Sequence, residues 1–166
     1  MLDHPRDEDI LKAGEALGML DEDVDNEEVF YRHQLLQEYF AARPLAEQPE
    51  PNRVRVAWDV GRTAPSLDET LAKIADSDPL PPQPGTGWEE TTVLAAAMTA
   101  DADAFVRGLM EANLPLAGRC AAQPDAAVSA ALKTELRYAL IERAADPKAD
   151  LRARIAAGLA LGELGE

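Results

Sequence analysis

Cysteine is almost absent from this chain of 166 residues. Cys120 stands alone, which excludes an internal disulfide and fits a reducing, cytoplasmic setting. Histidine occurs only at His4 and His33, and with Cys120 these are too few and too widely spaced for a zinc motif. Aromatic residues make up 5% of the chain. No apolar run approaches the roughly 18 residues of a membrane-spanning helix. The opening MLDHPRDEDI has neither the basic start nor the apolar stretch of a signal peptide. Basic residues number 16 against 31 acidic ones, a net charge of -15, which argues against a nucleic-acid backbone or an anionic membrane as the main partner. No G-x-S-x-G segment occurs, and no Ser/His/acid order resembles a hydrolase.

Alanine is what the chain has in abundance: 31 residues, within a hydrophobic content of 46%. An Ala-rich, aromatic-poor chain predicts helices in close contact and a mostly α fold. Charge and proline divide it. Residues 1–30 hold 11 acidic and 2 basic residues, and residues 44–84 hold 8 of the 12 prolines. From Trp88 onward come 22 of the 31 alanines. The expected parts are an acidic unit over 1–46, a proline-rich connector over 47–87, and a helical array over 88–166.

Hydrophobic spacing predicts a helix over 8–20, capped by Asp7, then a solvated turn over 21–28. Val29-Phe30-Tyr31 reads as a short strand, and a helix follows over 34–42, limited by Pro44. Alternation in Arg53-Val54-Arg55-Val56-Ala57-Trp58 predicts an extended strand. Ser66 and Glu69 form a capping box ahead of a helix over 67–75. The prolines of 78–84 exclude a helix there. In the array, helices are expected over 89–99 (burying Val93, Leu94, Ala97 and Met98), 101–112 with Asp101 as cap, 116–122, 124–144 and 150–164. Pro124 suits the first turn of the fourth, whose core positions Val128, Leu132, Leu136 and Leu140 are four apart. Leu151, Ile155 and Leu159 are the expected core of the last. Helices paired through short breaks, about 40 residues apart, resemble a HEAT-type solenoid, although no strict sequence repeat is present.

The stretch Phe30-Tyr31-Arg32-His33-Gln34-Leu35-Leu36-Gln37-Glu38-Tyr39-Phe40-Ala41-Ala42 resembles the signature that closes the NTPase module of NACHT-type STAND proteins. There an aromatic strand residue, a His and a Gln-Glu-Tyr/Phe-aromatic-Ala-Ala helix lie in a winged-helix or helical subdomain. The segments from Gly87 to Thr91, Asn113 to Cys120 and Arg152 to Gly162 are similar to bacterial members, in which HEAT-like repeats follow the NTPase module. The resemblance implies a small winged-helix-like unit followed by a HEAT-like helix-pair array. It implies His33 as a contact to nucleotide phosphate in a full-length parent, where an imidazole can donate a hydrogen bond near neutral pH. The family binds ATP or ADP through G-x-x-x-x-G-K-[ST], and Lys12, Lys73, Lys133 and Lys148 all lack the required glycines. The chain by itself is therefore expected to hold no cofactor and to catalyse nothing.

Other candidates have plainer readings. Asp21, Glu22, Asp23, Asp25, Glu27 and Glu28 suggest calcium, but an EF-hand register from Asp21 puts Asn26 at the glycine position and Arg32 at the bidentate Glu position. Cys120 reads as a buried small side chain. Gly85-Thr86-Gly87 precedes a helix start where an anion would meet Glu89 and Glu90. Trp58 and Trp88 either anchor a partner or pin the connector, and pinning is the favoured reading. Arg119, Arg137, Arg143, Arg152 and Arg154 suit either the inner face of an array or ion pairs between helices. The expected role is a non-catalytic regulatory and scaffold segment of a NACHT-type signalling NTPase, with a protein partner or an upstream NTPase module. The alternative is a self-standing helical-repeat adaptor. Apolar residues on the last helix, Ile155, Leu159, Leu161 and Leu164, predict an uncapped end that self-associates or is loosely ordered.

Overall fold

The computed structural model of the chain describes residues 7–23, 28–75 and 77–165. The first helix, α1 (Asp7–Ala16), stops short of the expected Leu20 because Gly18 takes a left-handed φ of 67°. Gly18 N–H then reaches the Glu15 carbonyl at 2.8 Å and Met19 N–H the Gly14 carbonyl at 2.9 Å, which satisfies the last carbonyls of the helix.

The expected turn over 21–28 is corrected at its two ends, and its centre, 24–27, lies outside the described residues. Strand β1 (Leu20–Asp23) pairs antiparallel with β2 (Glu28–Tyr31), with Leu20 opposite Tyr31 and Glu22 opposite Val29. The backbone groups of β2 need partners, and supplying them outweighs the poor strand propensity of Asp and Glu. Asp25 and Glu27 of the acidic run lie outside the described residues.

Helix α2 (Gln34–Glu47) runs through Pro44 instead of ending before it. An interior proline costs a helix about 3 kcal/mol or more. That cost is offset here because Ala42, Leu45 and Ala46 are buried in the main core. Contacts divide the chain into two units, Met1–Ala41 and Ala42–Glu166, so the end of α2 belongs to the second.

In the second unit the expected strand over 53–58 is a 3-10 turn (Pro51–Val54) and an extended strap. The period-two pattern survives, with Val54 buried and Arg55 exposed, but among the described residues no strand lies beside it. Its hydrogen bonds go to the ends of the helix hairpins. The capping box forms as expected, with Glu69 N–H on Ser66 Oγ and Ser66 N–H on Glu69 Oε2, but α3 (Leu67–Leu71) is shorter than predicted.

Five helices complete the unit: α4 (Glu89–Met98), α5 (Ala102–Met110), α6 (Leu114–Ala122), α7 (Ala130–Ala145) and α8 (Leu151–Glu163). Asp101, Asn113, Ser129 and Asp150 cap α5 to α8 through their side-chain oxygens. Asn113 thus opens α6 two residues earlier than expected. Pro124 does not open α7; it sits in the preceding loop, because Ser129 accepts from Leu132 N–H and its own N–H and hydroxyl bond Asp103. Leu132, Leu136 and Leu140 are fully buried, as their spacing predicts.

Helix α6 packs against α4, α5, α7 and α8, and its small residues make this possible. A Cβ at Gly118 would stand 3.0 Å from Leu140 Cδ1 and 3.1 Å from Ala160 Cβ. Two helix faces are corrected. On α4 Val93 is buried and Leu94 packs against the core as expected, but Thr91, Thr92, Ala95 and Ala96 are buried too, Ala97 is half-buried and Met98 is exposed. On α8 the core side is Arg152, Ala153, Ala157 and Ala160, and Leu151, Ile155 and Leu159 face outward. Helix α8 presses small residues against α6, where close approach at Gly118 excludes a row of leucines. Leu164 is buried and Leu161 packs against the core, so they are not part of the uncovered set. Among the described residues no helix is long and apolar enough to cross a membrane.

Candidate functional site

The strap crosses the loops that join successive helices. Val56 N–H donates to the Ala112 carbonyl at 3.1 Å, and Asn113 Nδ2 to the Val54 carbonyl at 3.1 Å. Two residues further on, the Trp58 carbonyl accepts Asp150 N–H at 2.8 Å, and Val60 N–H reaches the Lys148 carbonyl at 3.1 Å. The proline run is tied back by Gln83, whose Nε2 donates to the Ala57 carbonyl at 3.0 Å. Rigid proline backbone costs little further entropy when held this way.

Between strap and helices lies a cleft of about 200 Å³, with Val56, Pro82, Pro84, Leu114 and Pro115 among its apolar walls. A wider, more open cleft of about 530 Å³ adjoins it. Both are lined by Trp58, Met110, Glu111, Leu114 and Arg143. The feature they share is a stack: the Arg143 guanidinium lies 3.7 Å from the centre of the Trp58 ring. Arg53 covers Trp88 in the same way at 4.5 Å. Both tryptophans therefore pin the connector, the reading favoured from sequence.

The charges around the cleft differ in how they are met. Glu89 receives Thr86 N–H at 2.6 Å and Gly87 N–H at 2.9 Å. Burial pushes its carboxyl up, but these N–H groups and the Thr86 hydroxyl outweigh it and hold the group below its ordinary value. The Gly85-Thr86-Gly87 loop thus already holds an anion, the chain's own. Arg119 pairs with Glu90 at 2.9 Å and approaches Glu163 at 3.9 Å. Burial lowers the Arg119 guanidinium, and Glu90 more than offsets this. Arg143 is lowered by burial, with Asp146 restoring only part. No Ser, Thr, Cys, His, Lys or Tyr is among the residues lining the inner cleft; its charged groups are Glu89, Glu111, Arg119 and Arg143.

The other candidates fall as follows. His33 is exposed and opens α2 with its backbone: its carbonyl accepts Leu36 N–H at 3.0 Å and Gln37 N–H at 3.3 Å. In the same unit Tyr31 stacks on Phe40 with centroids 5.5 Å apart, joining the strand and helix of the motif. Cys120 is buried, its thiol pushed up to about 12 by burial, as expected of an inert side chain. His4 lies outside the described residues. Among the described residues no group of three or more His, Cys, Asp or Glu is placed to hold a metal ion. Arg137 caps the end of α8 through the Leu164 and Gly165 carbonyls, and Arg154 holds the Ala144 carbonyl. Only Arg119 makes the ion pairs between helices that the sequence suggests for these arginines. Arg152 is used within the fold, on Asp150, Thr70 and Pro65.

Sequence reasoning considered Trp58 and Arg143 separately and missed their pairing. Nothing local links residues 85 positions apart. Compared with known proteins, the chain matches no family model, no curated protein and no solved structure.

Proposed function

We propose that this chain is a non-catalytic, cytoplasmic regulatory and scaffold segment of a NACHT-type signalling NTPase, coupling a nucleotide-dependent switch to a HEAT-like sensor array. The observation that carries this reading is α2. The motif helix begins beside His33, and its far end buries Ala42, Leu45 and Ala46 in the core of the helical array. Order at the motif and packing in the array then contribute to one helix, which is a physical basis for coupling. In a parent with an NTPase module, ADP near His33 would favour one state only through differential affinity for the two.

Hydrogen exchange on the whole chain tests the coupling. Leu45→Ala is expected to speed exchange in residues 35–39 as well as in α4 to α6. Unchanged exchange over 35–39 would sink the idea. The parentage is tested in the adjoining coding sequence, where an in-frame G-x-x-x-x-G-K-[ST] supports it.

The second reading is a self-standing adaptor that binds a protein. It is favoured by the outward face of α8, where Leu151, Ile155 and Leu159 are exposed one turn apart. The same face is the part of the last helix that self-association would use. Light scattering at high concentration separates these: a clean monomer removes self-association.

A further inference from the structure

We propose that the inner cleft beside the Arg143–Trp58 stack binds a carboxylate carried on a small apolar body, with Arg143 as the donor that recognises the carboxylate.

The first ground is that Arg143 is unmatched. Arg107 is bonded to Glu135, Arg119 to Glu90, Arg137 and Arg154 to backbone carbonyls, and Arg152 to Asp150. From Arg107 onward, Arg143 is the one arginine with no hydrogen bond or ion pair to any described residue; its contact is the Trp58 ring. Yet it is not a free surface cation. It is half-buried, and burial pulls its guanidinium down with only partial relief from Asp146. Its unbonded N–H groups are not sealed from solvent, so they are open to an acceptor entering the cleft.

The second ground is pre-organisation. The Trp58 ring holds the guanidinium carbon 3.7 Å from its centre, and the Trp58 backbone is itself held by Asp150 N–H. A donor fork already held in place loses little entropy when it meets a planar carboxylate.

The third ground selects the ligand class. The inner cleft is walled by Val56, Pro82, Pro84, Leu114 and Pro115, which suits a short hydrocarbon body. Glu89 and Glu111 line it, and Glu142 and Asp146 stand around the wider cleft. Arg119 is already matched by Glu90. These carboxylates oppose any anion, and a dianion about twice as strongly as a monoanion, so a single Arg143 guanidinium favours a carboxylate over a phosphate dianion. The inference concerns what the array recognises and stands whether or not α2 couples the two units.

The test is titration of hexanoate into the whole chain, read on the Trp58 indole N–H and Arg143 Nε–H resonances, with hexanamide and inorganic phosphate as controls. Saturable shifts of both resonances are expected with hexanoate and not with hexanamide or phosphate. Arg143→Gln is expected to weaken hexanoate roughly 10- to 100-fold, the scale of a charge-assisted hydrogen bond, while Arg107→Gln leaves it unchanged. The amide comparison uses the native sequence, so it decides the matter even if the Arg143 variant fails to fold. No saturable shift, equal shifts with hexanamide, an equal response to phosphate, or unaltered binding in a folded Arg143→Gln protein each overturns the proposal.

Discussion

Arg152 and Asp150 form an ion pair sealed inside the fold: Arg152 Nε and Nη2 each lie 2.9 Å from an Asp150 oxygen, and Arg152 is 3% exposed. The remaining donors reach back 82 residues to Thr70 Oγ1 and 87 residues to the Pro65 carbonyl, each at 2.8 Å. The Asp150 carboxylate also caps α8, and its N–H holds Trp58. One buried cluster thus joins the connector, α3 and α8. Removing one partner of such a pair leaves an unmatched buried charge, so Asp150→Asn and Arg152→Met are each expected to cost about 3–5 kcal/mol. The double variant should cost clearly less than their sum. Urea unfolding of the three proteins measures this, and strict additivity would show that the two residues do not act as a pair.

Thr70→Val keeps shape but removes the acceptor for Arg152 Nη1. The expected loss is about 1–3 kcal/mol, from a buried donor left without a partner. Thermal melts of Thr70→Val and Thr70→Ser decide it, since serine keeps the hydroxyl and should recover most of the loss.

Glycines in the helices should respond in opposite directions. Gly118→Ala forces a methyl between Leu140 and Ala160 and is expected to destabilise by about 1–3 kcal/mol. Nothing lies within 4 Å of a Cβ at Gly158. Gly158→Ala is therefore expected to stabilise by roughly 0.5–1 kcal/mol through helix propensity. Equal effects at the two sites would contradict the packing described for α6.

Leu136 and Leu159 look alike in sequence but not in place: Leu136 is fully buried and Leu159 is 67% exposed. Leu136→Ala should cost about 2–5 kcal/mol by opening a cavity. Leu159→Ala should stay within about 0.5 kcal/mol in the monomer. Measuring Leu159→Ala at two protein concentrations adds a second readout: a concentration-dependent loss would show that its face is covered in an oligomer.

Acid should weaken the fold through identifiable carboxylates. Asp150 is held below its ordinary value chiefly by the Arg152 hydrogen bonds, and Glu89 by the N–H groups of Thr86 and Gly87 acting against burial. A carboxyl depressed in the folded state contributes stability above its unfolded value, near pH 4. That contribution is lost as pH falls through the folded value. Denaturant unfolding should therefore show stability falling below about pH 4. Glu89→Gln should lower stability at neutral pH and flatten the acid limb; an unchanged limb would remove Glu89 from this account.

Much of the helical layout was legible without coordinates. Caps are local chemistry, so Asp101 and the Ser66–Glu69 box form where side-chain spacing predicts. The run Leu132, Leu136 and Leu140 is buried because a four-residue repeat keeps one face inward. Elsewhere the same logic chose the wrong face. Leu151, Ile155 and Leu159 repeat just as regularly, yet alanines fill the contact, because α8 lies too close to α6 at Gly118 for larger side chains. Pro44 predicts a stop from local chemistry, but buried neighbours carry α2 through it.

The sequence by itself determined the mostly α class, the capped starts of several helices, the non-helical proline run and the inert setting of Cys120. Those depend on residues a few positions apart, where spacing and side-chain chemistry act directly. Tertiary structure alone decided which face of α4 and α8 is buried, the pairing of an acidic segment as β1, the cluster around Arg152 and the Arg143–Trp58 stack. Each of these depends on how closely two segments approach or on a partner that local spacing does not reveal, and the cluster and the stack join residues more than 80 positions apart.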